Sequence, residues 1–323
     1  MLNHEQKFAI DTFAEWLRRR GYHVFRTDSS YWVNFGPRVY QAFPYHWVIR
    51  PSQEELEQVF HRHKALALRY STFLTEPTGC ISYHAIYDEP SYHLEKLGKW
   101  ARKNIRRGLK NCTVEPVSFK QLANGGWELQ KDTLARQKRR LNSTHESWPR
   151  LCLQASDLPG FEAWGALVNG KLAASVITYK MADCCYMLYQ QCHRDFLAAH
   201  VNNALSFEVT RIMTGRQDIN NILYGLHSLD APPSVDEFKF RMGYKAKPVR
   251  QRVVFHPWLA PLFGKNVHAV VRNFLRCCPS NVTLAKAEGL IRFYLEGKRP
   301  LTQQNWPECL ADQKAQLIQK LKQ

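Results

Sequence analysis

The chain has 323 residues, of which 45% are hydrophobic and 12% aromatic, so it is long enough and apolar enough to bury a substantial core. Its 45 basic residues exceed its 28 acidic residues by 17 charges, which favours a polyanionic partner such as a nucleic acid, a phosphate-rich cofactor or an anionic membrane surface. No run of the sequence is apolar over the length of a transmembrane helix, and residues 1–25 lack the pattern of a signal peptide.

The nine cysteines indicate a reducing compartment. They include two adjacent pairs, Cys184-Cys185 and Cys277-Cys278, and no C-x-x-C motif, so buried thiols are favoured over a disulfide framework or a zinc site. His61 and His63 have no further ligands at a metal-site spacing. We therefore predict a cytoplasmic protein without a metal.

The N-terminal part predicts alternating helices and strands. Its patterns give an amphipathic helix over residues 1–25, short strands within 31–50, a helix over 51–65 capped by Ser52, strands over 66–74 and 80–87, and a helix over 92–110.

The helix over 92–110 separates an apolar face from a basic one. The apolar face carries Leu94, Leu97, Ala101, Ile105 and Leu109. The other face carries Lys96 and a set that we call the basic stripe: Lys99, Lys103, Arg106, Arg107 and Lys110. Like charges one turn apart destabilise an isolated helix, so a phosphate backbone would relieve a cost. The alternative is a solvated basic face. Arg136, Lys138, Arg139 and Arg140 repeat the pattern more loosely.

The C-terminal part predicts an antiparallel sheet that takes one crossover helix. Strands are expected over 113–117, 163–168, 171–179, 184–192, 219–225 and 249–256, with helices over 200–214 and from Ser234. Asn169-Gly170 is a strong hairpin signal between the second and third of these strands. Beyond Pro257 three helices follow, over 265–276, 282–295 and 309–321.

One lysine stands out in the short helix that begins at Ser234. Ser234 and Glu237 form a capping-box pair, and Gly243 suits the residue that ends a helix. On the helical wheel Lys239 lies near the centre of the apolar face, beside Phe238. Either the ammonium group extends past this face to water, or it is held at the rim of a cleft.

These elements and motifs resemble the GNAT acyltransferase fold. The phrase Tyr224-Gly225 … Phe238-Lys239 … Met242-Gly243-Tyr244 looks like the closing signature of the FemAB-like branch, which includes proteins linked to cellulose biosynthesis. The basic segment 99–110 before a strand is similar to the same branch. The resemblance implies an α/β (α+β) fold with a GNAT-like mixed sheet. It implies a degenerate GNAT-like region over 1–112, an acyltransferase domain over 113–257 and a helical appendage over 258–323.

The resemblance also implies an acyl donor. In GNAT enzymes acyl-CoA lies between two splayed strands, with its pyrophosphate at the start of the crossover helix. Here Arg194 and Ala199 match that loop, whereas Leu197 occupies a position that is glycine in the family. We count Tyr189, Asn202 and Asn203 with the cofactor-binding residues, although the asparagines also suit helix capping. The branch's other donor, aminoacyl-tRNA, would use the basic stripe.

By resemblance, Lys239 lies near the reacting carbonyl and stabilises the developing oxyanion. His227 is the predicted general base, with a structural histidine as the alternative. Tyr244 is the third predicted catalytic residue; Tyr244 and Tyr189 suit proton donation to a leaving group or packing in the core. Alternative bases, each also a turn or helix-start residue, are Asp195, Asp230 and Asp236.

Two functions from different classes follow from this. The first is an N-acyltransferase that moves an acyl or aminoacyl group from acyl-CoA (acetyl-CoA) or aminoacyl-tRNA to an amine acceptor. The second is a non-catalytic, GNAT-derived protein that binds RNA through the basic stripe. A weaker third interpretation is attachment to an anionic membrane through the same stripe and the N-terminal helix.

Overall fold

The chain folds into two compact units, each built from segments that are distant in sequence. A computed structural model describes residues 4–137, 144–229, 233–279 and 281–321, and for 233–235 the backbone alone. The first unit comprises Met1–Gly21, Ala85–Gly225 and Ala231–Lys245, and the second Tyr22–His84, Leu226–Asp230 and Ala246–Gln323. The three-part division expected from the resemblance stays a prediction.

Helices and strands alternate along much of the chain. The helices are α1 (His4–Arg19), α2 (Gln53–Arg62), α3 (Lys99–Asn111), α4 (Phe119–Arg136), α5 (Ser147–Leu153), α6 (Val201–Thr214), α7 (Pro233–Arg241), α8 (Lys265–Cys277), α9 (Val282–Gly297) and α10 (Lys314–Lys320). The strands are β1 (Val24–Arg26), β2 (Tyr31–Gly36), β3 (Val39–Phe43), β4 (Ala67–Thr72), β5 (Cys80–Tyr87), β6 (Thr113–Val117), β7 (Phe161–Val168), β8 (Lys171–Met181), β9 (Cys184–Cys192), β10 (Asn221–Leu226) and β11 (Lys245–Phe255).

The first unit is built on strands in the order β10-β9-β8-β7-β6. Strands β6 to β9 pair antiparallel, whereas β9 and β10 pair parallel. Asn169 and Gly170, at φ 50° and 78°, form the turn between β7 and β8. Two central residues with positive φ match the right-handed twist of a hairpin. The predicted hairpin and the predicted strand 184–192 are therefore confirmed.

Helix α6 is the crossover that makes β9 and β10 parallel, as predicted. It packs closely on α3, because a Cβ atom added at Gly108 would lie 2.5 Å from the carbonyl oxygen of His200. Ile105 of α3 and Val201 of α6 are fully buried in the same core cluster. This contact fixes the N-terminus of the crossover helix against the helix that carries the basic stripe.

Helix α7 ends as its sequence predicts. Gly243 adopts φ 87°, and a Cβ atom at this position would lie 2.7 Å from Leu97 Cδ2. Met242 is fully buried, and its carbonyl oxygen accepts a 2.6 Å hydrogen bond from the Tyr92 hydroxyl. The side chain of Ser234, half of the predicted capping box, lies outside the described residues.

The second unit has its own strands and core. Strands β1, β2 and β3 pair antiparallel, β3 pairs parallel with β4, and β4 pairs antiparallel with β11. Ser52 caps α2, since its side chain accepts a hydrogen bond from the amide of Glu55, as predicted. Phe293 of α9 is buried with Phe255 of β11. The helices α8 and α9 therefore belong with the strands of this unit.

Three predicted helices differ from the structure. The helix over 92–110 is a 3-10 turn, Leu94–Lys96, followed by α3, because the backbone at Leu97 is extended and Gly98 caps a new helix. The helix over 309–321 is a 3-10 turn, Glu308–Leu310, and then α10. The amphipathic helix predicted over 1–25 is shorter in the structure, where it spans His4–Arg19. Among the described residues, no helix is both long and apolar enough to cross a bilayer.

Candidate active site

A cleft opens in the first unit where β9 and β10 separate. The two strands are paired from Cys184 with Asn221 to Tyr186 with Leu223, while β9 continues to Cys192. Tyr189 adopts φ 49°, and the register with β8 shifts beside it, which marks a bulge. Beyond the bulge the strands line a cavity of about 720 Å³. Its lining includes Trp100, Thr133, Arg136, Tyr189, Gln190, Gln191, Leu197, His200, Asn202, Asn203, Tyr224 and Lys239.

Lys239 lies inside this cavity with its ammonium group paired. The residue is 8% exposed, and its Nζ lies 2.6 Å from Asp236 Oδ1, one turn earlier on α7. The same Nζ stands 5.3 Å from the ring centroid of Tyr224. The interpretation that the ammonium extends to water is therefore wrong, because an ion pair and an aromatic face replace water around it.

A chain of hydrogen bonds links the two sides of the cleft. The Tyr224 hydroxyl on β10 donates to Gln190 Oε1 on β9, and Gln190 Nε2 donates to Asn202 Oδ1 at 2.8 Å. Burial raises the pKa of the Tyr224 hydroxyl, so this group is a neutral donor. Gln190 and Tyr224 were not assigned to the site from the sequence, although Tyr224 belongs to the phrase that carries the resemblance. The Asn202 amide oxygen therefore accepts from Gln190, and its predicted role in cofactor binding stays a prediction.

The loop before α6 bonds largely to itself. The amides of Leu197, Ala199 and His200 donate to the carbonyls of Arg194, Phe196 and Leu197 at 3.0–3.2 Å. A loop that cradles a pyrophosphate instead presents such amides to the ligand. The Arg194 side chain is bound to Asp132 and is not among the cavity-lining residues, and the Ala199 carbonyl accepts from Asn111 Nδ2 at 3.2 Å.

The remaining predicted residues occupy three different settings. Asn203 and Tyr189 line the cavity, and Asn203 Nδ2 lies 3.6 Å from Met242 Sδ. Tyr244 is buried in the core of the first unit, where its hydroxyl and Thr210 Oγ1 are 2.7 Å apart; burial holds the pKa of Tyr244 well above its ordinary value. His227 belongs to the second unit.

Within the second unit, the His227 ring stacks on Tyr83 with 4.6 Å between centroids, and its Nδ1 lies 3.3 Å from Ser82 Oγ. Its role as base, like that of Tyr244 in proton transfer, stays a prediction. Of the alternative bases, Asp236 pairs with Lys239, Asp195 pairs with His193 at the surface, and Asp230 lies outside the described residues.

All five residues of the basic stripe are exposed on α3. Among the described residues none of them has a salt-bridge partner. The stripe reaches the cleft at His200: burial first, then the charges of Arg107 and Lys103, lower the pKa of this histidine. Trp100, at the start of the same helix, lines the cavity and is 43% exposed. The outer part of the looser basic cluster, residues 138–140, lies outside the described residues.

Helix α4 contributes residues to the cavity, among them Thr133, which no sequence pattern indicates, and Arg136, which the sequence places in the looser basic cluster. Thr133 and Arg136 line the cavity, and Thr133 Oγ1 donates to the carbonyl of Cys192 at 3.0 Å while accepting from its amide. The helix was not predicted, because Gly125 and Gly126 interrupt its periodicity. Gly126 is needed there, since a Cβ atom would lie 2.7 Å from the indole nitrogen of Trp148.

The fold is that of known structures, whereas the sequence matches no protein-family model and no curated protein. FemX superposes with a TM-score of 0.56 at 10% identity, over 81% of this chain and 98% of FemX. L-PGS from Bacillus licheniformis superposes with a TM-score of 0.51 at 10% identity, over 80% of this chain and 94% of L-PGS. The C-terminal DUF2156 domain of a candidate lysylphosphatidylglycerol synthetase from Agrobacterium fabrum superposes with a TM-score of 0.52 at 14% identity, over 80% of this chain and 93% of that domain. The predicted GNAT-like, FemAB-like fold is confirmed.

Proposed function

We propose that this protein transfers an acyl or aminoacyl group from an activated ester or thioester to an amine. The observation that carries the proposal is Lys239, a buried ammonium group that lines a cleft between two separating strands and is held there by Asp236. The fold is similar to those of FemX and L-PGS. This similarity agrees with the resemblance to the FemAB-like branch, which implies acyl transfer.

The reaction requires stabilisation of a negative charge that is absent from the substrates. The amine nitrogen attacks the carbonyl carbon, a C–N bond forms, and the carbonyl oxygen becomes an oxyanion. When the intermediate collapses, the C–O or C–S bond breaks, and the proton lost by the amine ends on the leaving group. Lys239 would face the oxyanion, and because Asp236 already orients its Nζ, little reorganisation is needed in the transition state.

Two features favour a donor carried by RNA over acyl-CoA. The loop before α6 bonds to itself through amides that would otherwise hold a pyrophosphate. The exposed basic stripe leads along α3 to the cleft, where the ring of Trp100 lines the cavity with the Arg241 guanidinium carbon 5.2 Å from its centroid. A cationic track that ends at an aromatic side chain suits a single-stranded RNA end, since phosphates follow the charges and a base stacks on the ring. We therefore place aminoacyl-tRNA ahead of acetyl-CoA as donor.

The exposed basic stripe alone supports a second candidate function, RNA binding without catalysis. In that case the cleft would be a relic and Lys239 a buried structural ion pair. The two functions differ in one respect that can be measured, namely whether a covalent product forms.

The test offers the purified protein a panel of radiolabelled donors with a mixture of amine acceptors, and product is detected by mass and by label. The panel contains total aminoacyl-tRNA, acetyl-CoA and longer acyl-CoA esters. Label in an amide product from aminoacyl-tRNA supports the proposal with its preferred donor, and label from a CoA ester supports the reaction with the other donor. Salt-dependent tRNA binding without any product would replace the proposal with the second function.

A further inference from the structure

Arg136, which lines the cleft, shares one buried carboxylate with Arg194. Asp132 of α4 is 7% exposed, and its Oδ2 accepts from Arg136 Nε at 2.8 Å and from the amide of Arg194 at 2.9 Å. Its Oδ1 accepts from Arg194 Nε. Burial by itself would raise the pKa of the Asp132 carboxyl, but the hydrogen bonds from Arg136 and Arg194 outweigh burial and hold that pKa below its ordinary value. The cluster therefore carries one net positive charge.

Arg136 is the member of this cluster that lines the cavity, and it is held from several sides. Besides Asp132, its Nη2 donates to the Cys192 carbonyl at 2.6 Å and to Thr133 Oγ1 at 3.3 Å. Its Nη1 has no hydrogen-bond partner among the described residues. A guanidinium fixed in this way keeps donors available at little cost in conformational entropy, which is the arrangement that recognises phosphates and carboxylates.

The charge of the cavity wall points to the same ligand chemistry. Among the lining residues that the structure describes, the charged side chains are Arg136 and Lys239, and none is a carboxylate. Asp236 neutralises Lys239, whereas Asp132 is shared between two arginines. The net charge at the cavity is thus positive and lies on the α4 side, where it attracts an anion.

We infer that Arg136, oriented by Asp132, binds an oxyanionic group, a phosphate or a carboxylate, of the substrate that occupies the cleft. The inference rests on the proposed function in that it concerns the same cleft. Gln190 is bonded to Tyr224, which lies beneath Lys239, and Cys192 is bonded to Arg136. Gln190 and Cys192 are two residues apart on β9, which is on the order of 7 Å along the strand. The proposed anion site and Lys239 therefore belong to the same cleft and are connected through neighbouring residues of β9.

The possible donors differ in how far the reacting carbonyl lies from the nearest phosphate. In an aminoacylated nucleotide one ribose separates the ester from the nearest phosphate, whereas in acyl-CoA the whole pantetheine arm lies between the thioester and the phosphates. A phosphate site in the same cleft as Lys239 therefore favours a nucleotide ester donor, whereas a carboxylate bound at Arg136 belongs to the amine acceptor.

The test measures binding, so that it does not depend on catalysis. Two ligand pairs are titrated by calorimetry: adenosine 5′-monophosphate against adenosine, and a short peptide acid against its amide. In each pair only the anionic group differs. We expect one anionic ligand to bind about tenfold more tightly than its neutral partner, and this preference to vanish in Arg136→Gln. Preference for the nucleotide assigns a donor phosphate, and preference for the peptide acid assigns an acceptor carboxylate.

Two further variants make the test specific. Arg150→Gln removes an arginine that is 73% exposed and does not line the cavity, so it keeps the preference. Arg136→Lys keeps the charge but not the planar guanidinium, so we expect it to keep part of the preference for the anionic ligand. A partial preference in Arg136→Lys would show that the lost preference in Arg136→Gln does not come from unfolding. The inference is overturned if neither pair shows a preference in the parent protein, or if the preference survives in Arg136→Gln.

Discussion

Lys239 Nζ and Asp236 Oδ1 are 2.6 Å apart, and the two residues are each 8% exposed. They stand one turn apart on α7, so the helix itself sets their separation. Burial removes water from both charges, and each then depends on the other. The pair therefore fixes an ammonium group in the wall of the cleft.

Removing one partner of this pair should destabilise the fold strongly. We expect Asp236→Asn to lower the free energy of unfolding by roughly 3–5 kcal/mol, because Lys239 would remain buried without a countercharge. Glu237→Gln on the same helix breaks an exposed pair with Arg241 and should change stability little. Urea unfolding of the two variants makes the comparison. Equal decreases in the free energy of unfolding would show that the buried pair contributes no more to stability than the exposed pair.

Gly243 allows a second test, of how α7 ends. Gly243→Ala should destabilise by more than Gly170→Ala, since both positions have positive φ but only at Gly243 would the new Cβ meet a neighbour, Leu97 Cδ2 at 2.7 Å. At Gly170 nothing lies within 4 Å. Thermal unfolding measures both, and Leu97→Ala should restore part of the loss at Gly243. No difference between the two glycines would contradict the contact.

His84 in the second unit should make the fold sensitive to acid. It is 1% exposed with Nε2 2.8 Å from Ser71 Oγ, and burial, followed by the charges of His46, Lys247 and Arg69, lowers its pKa from 6.5 to about 3. Between these values the unfolded chain binds a proton that the folded chain does not, so the contribution of His84 to stability is complete above pH 6.5 and is lost as pH falls toward 3.

The measurement is the free energy of unfolding of the parent protein and His84→Gln between pH 7 and 4. The variant should be less stable at pH 7 and should show a shallower decline, since it has no histidine to protonate at this position. Parallel declines in the two proteins would show that His84 does not cause the acid sensitivity.

The basic stripe predicts how RNA binding responds to salt. Replacing Lys99, Lys103 and Arg106 by Gln should weaken tRNA binding and lower the slope of log affinity against log salt by about one for each lost phosphate contact. The matched control replaces Lys265, Arg272 and Arg276 of α8 by Gln. These residues are also exposed, and their replacement removes the same amount of positive charge. Fluorescence anisotropy at several salt concentrations measures both. Similar slopes for the two triple variants would place the RNA elsewhere.

The local patterns predicted elements well where each follows one rule. The strand over 184–192, the Asn169-Gly170 turn and the cap at Ser52 all coincide with the structure. Helix α4 could not be predicted in this way, because Gly125 and Gly126 interrupt its apolar period. Tertiary packing alone brings Asp132 to Arg194 and places His227 in the second unit.

The measurement that tests the central claim most directly is single-turnover transfer from aminoacyl-tRNA to an amine by Lys239→Met and Lys245→Met. Lys245 is a control of the same chemistry: it pairs with Glu89 but is 60% exposed and does not line the cleft. We predict that the rate falls by about a hundredfold or more in Lys239→Met, as for loss of an oxyanion-stabilising group, and stays unchanged in Lys245→Met. A folded Lys239→Met protein that transfers at the parent rate would contradict the account.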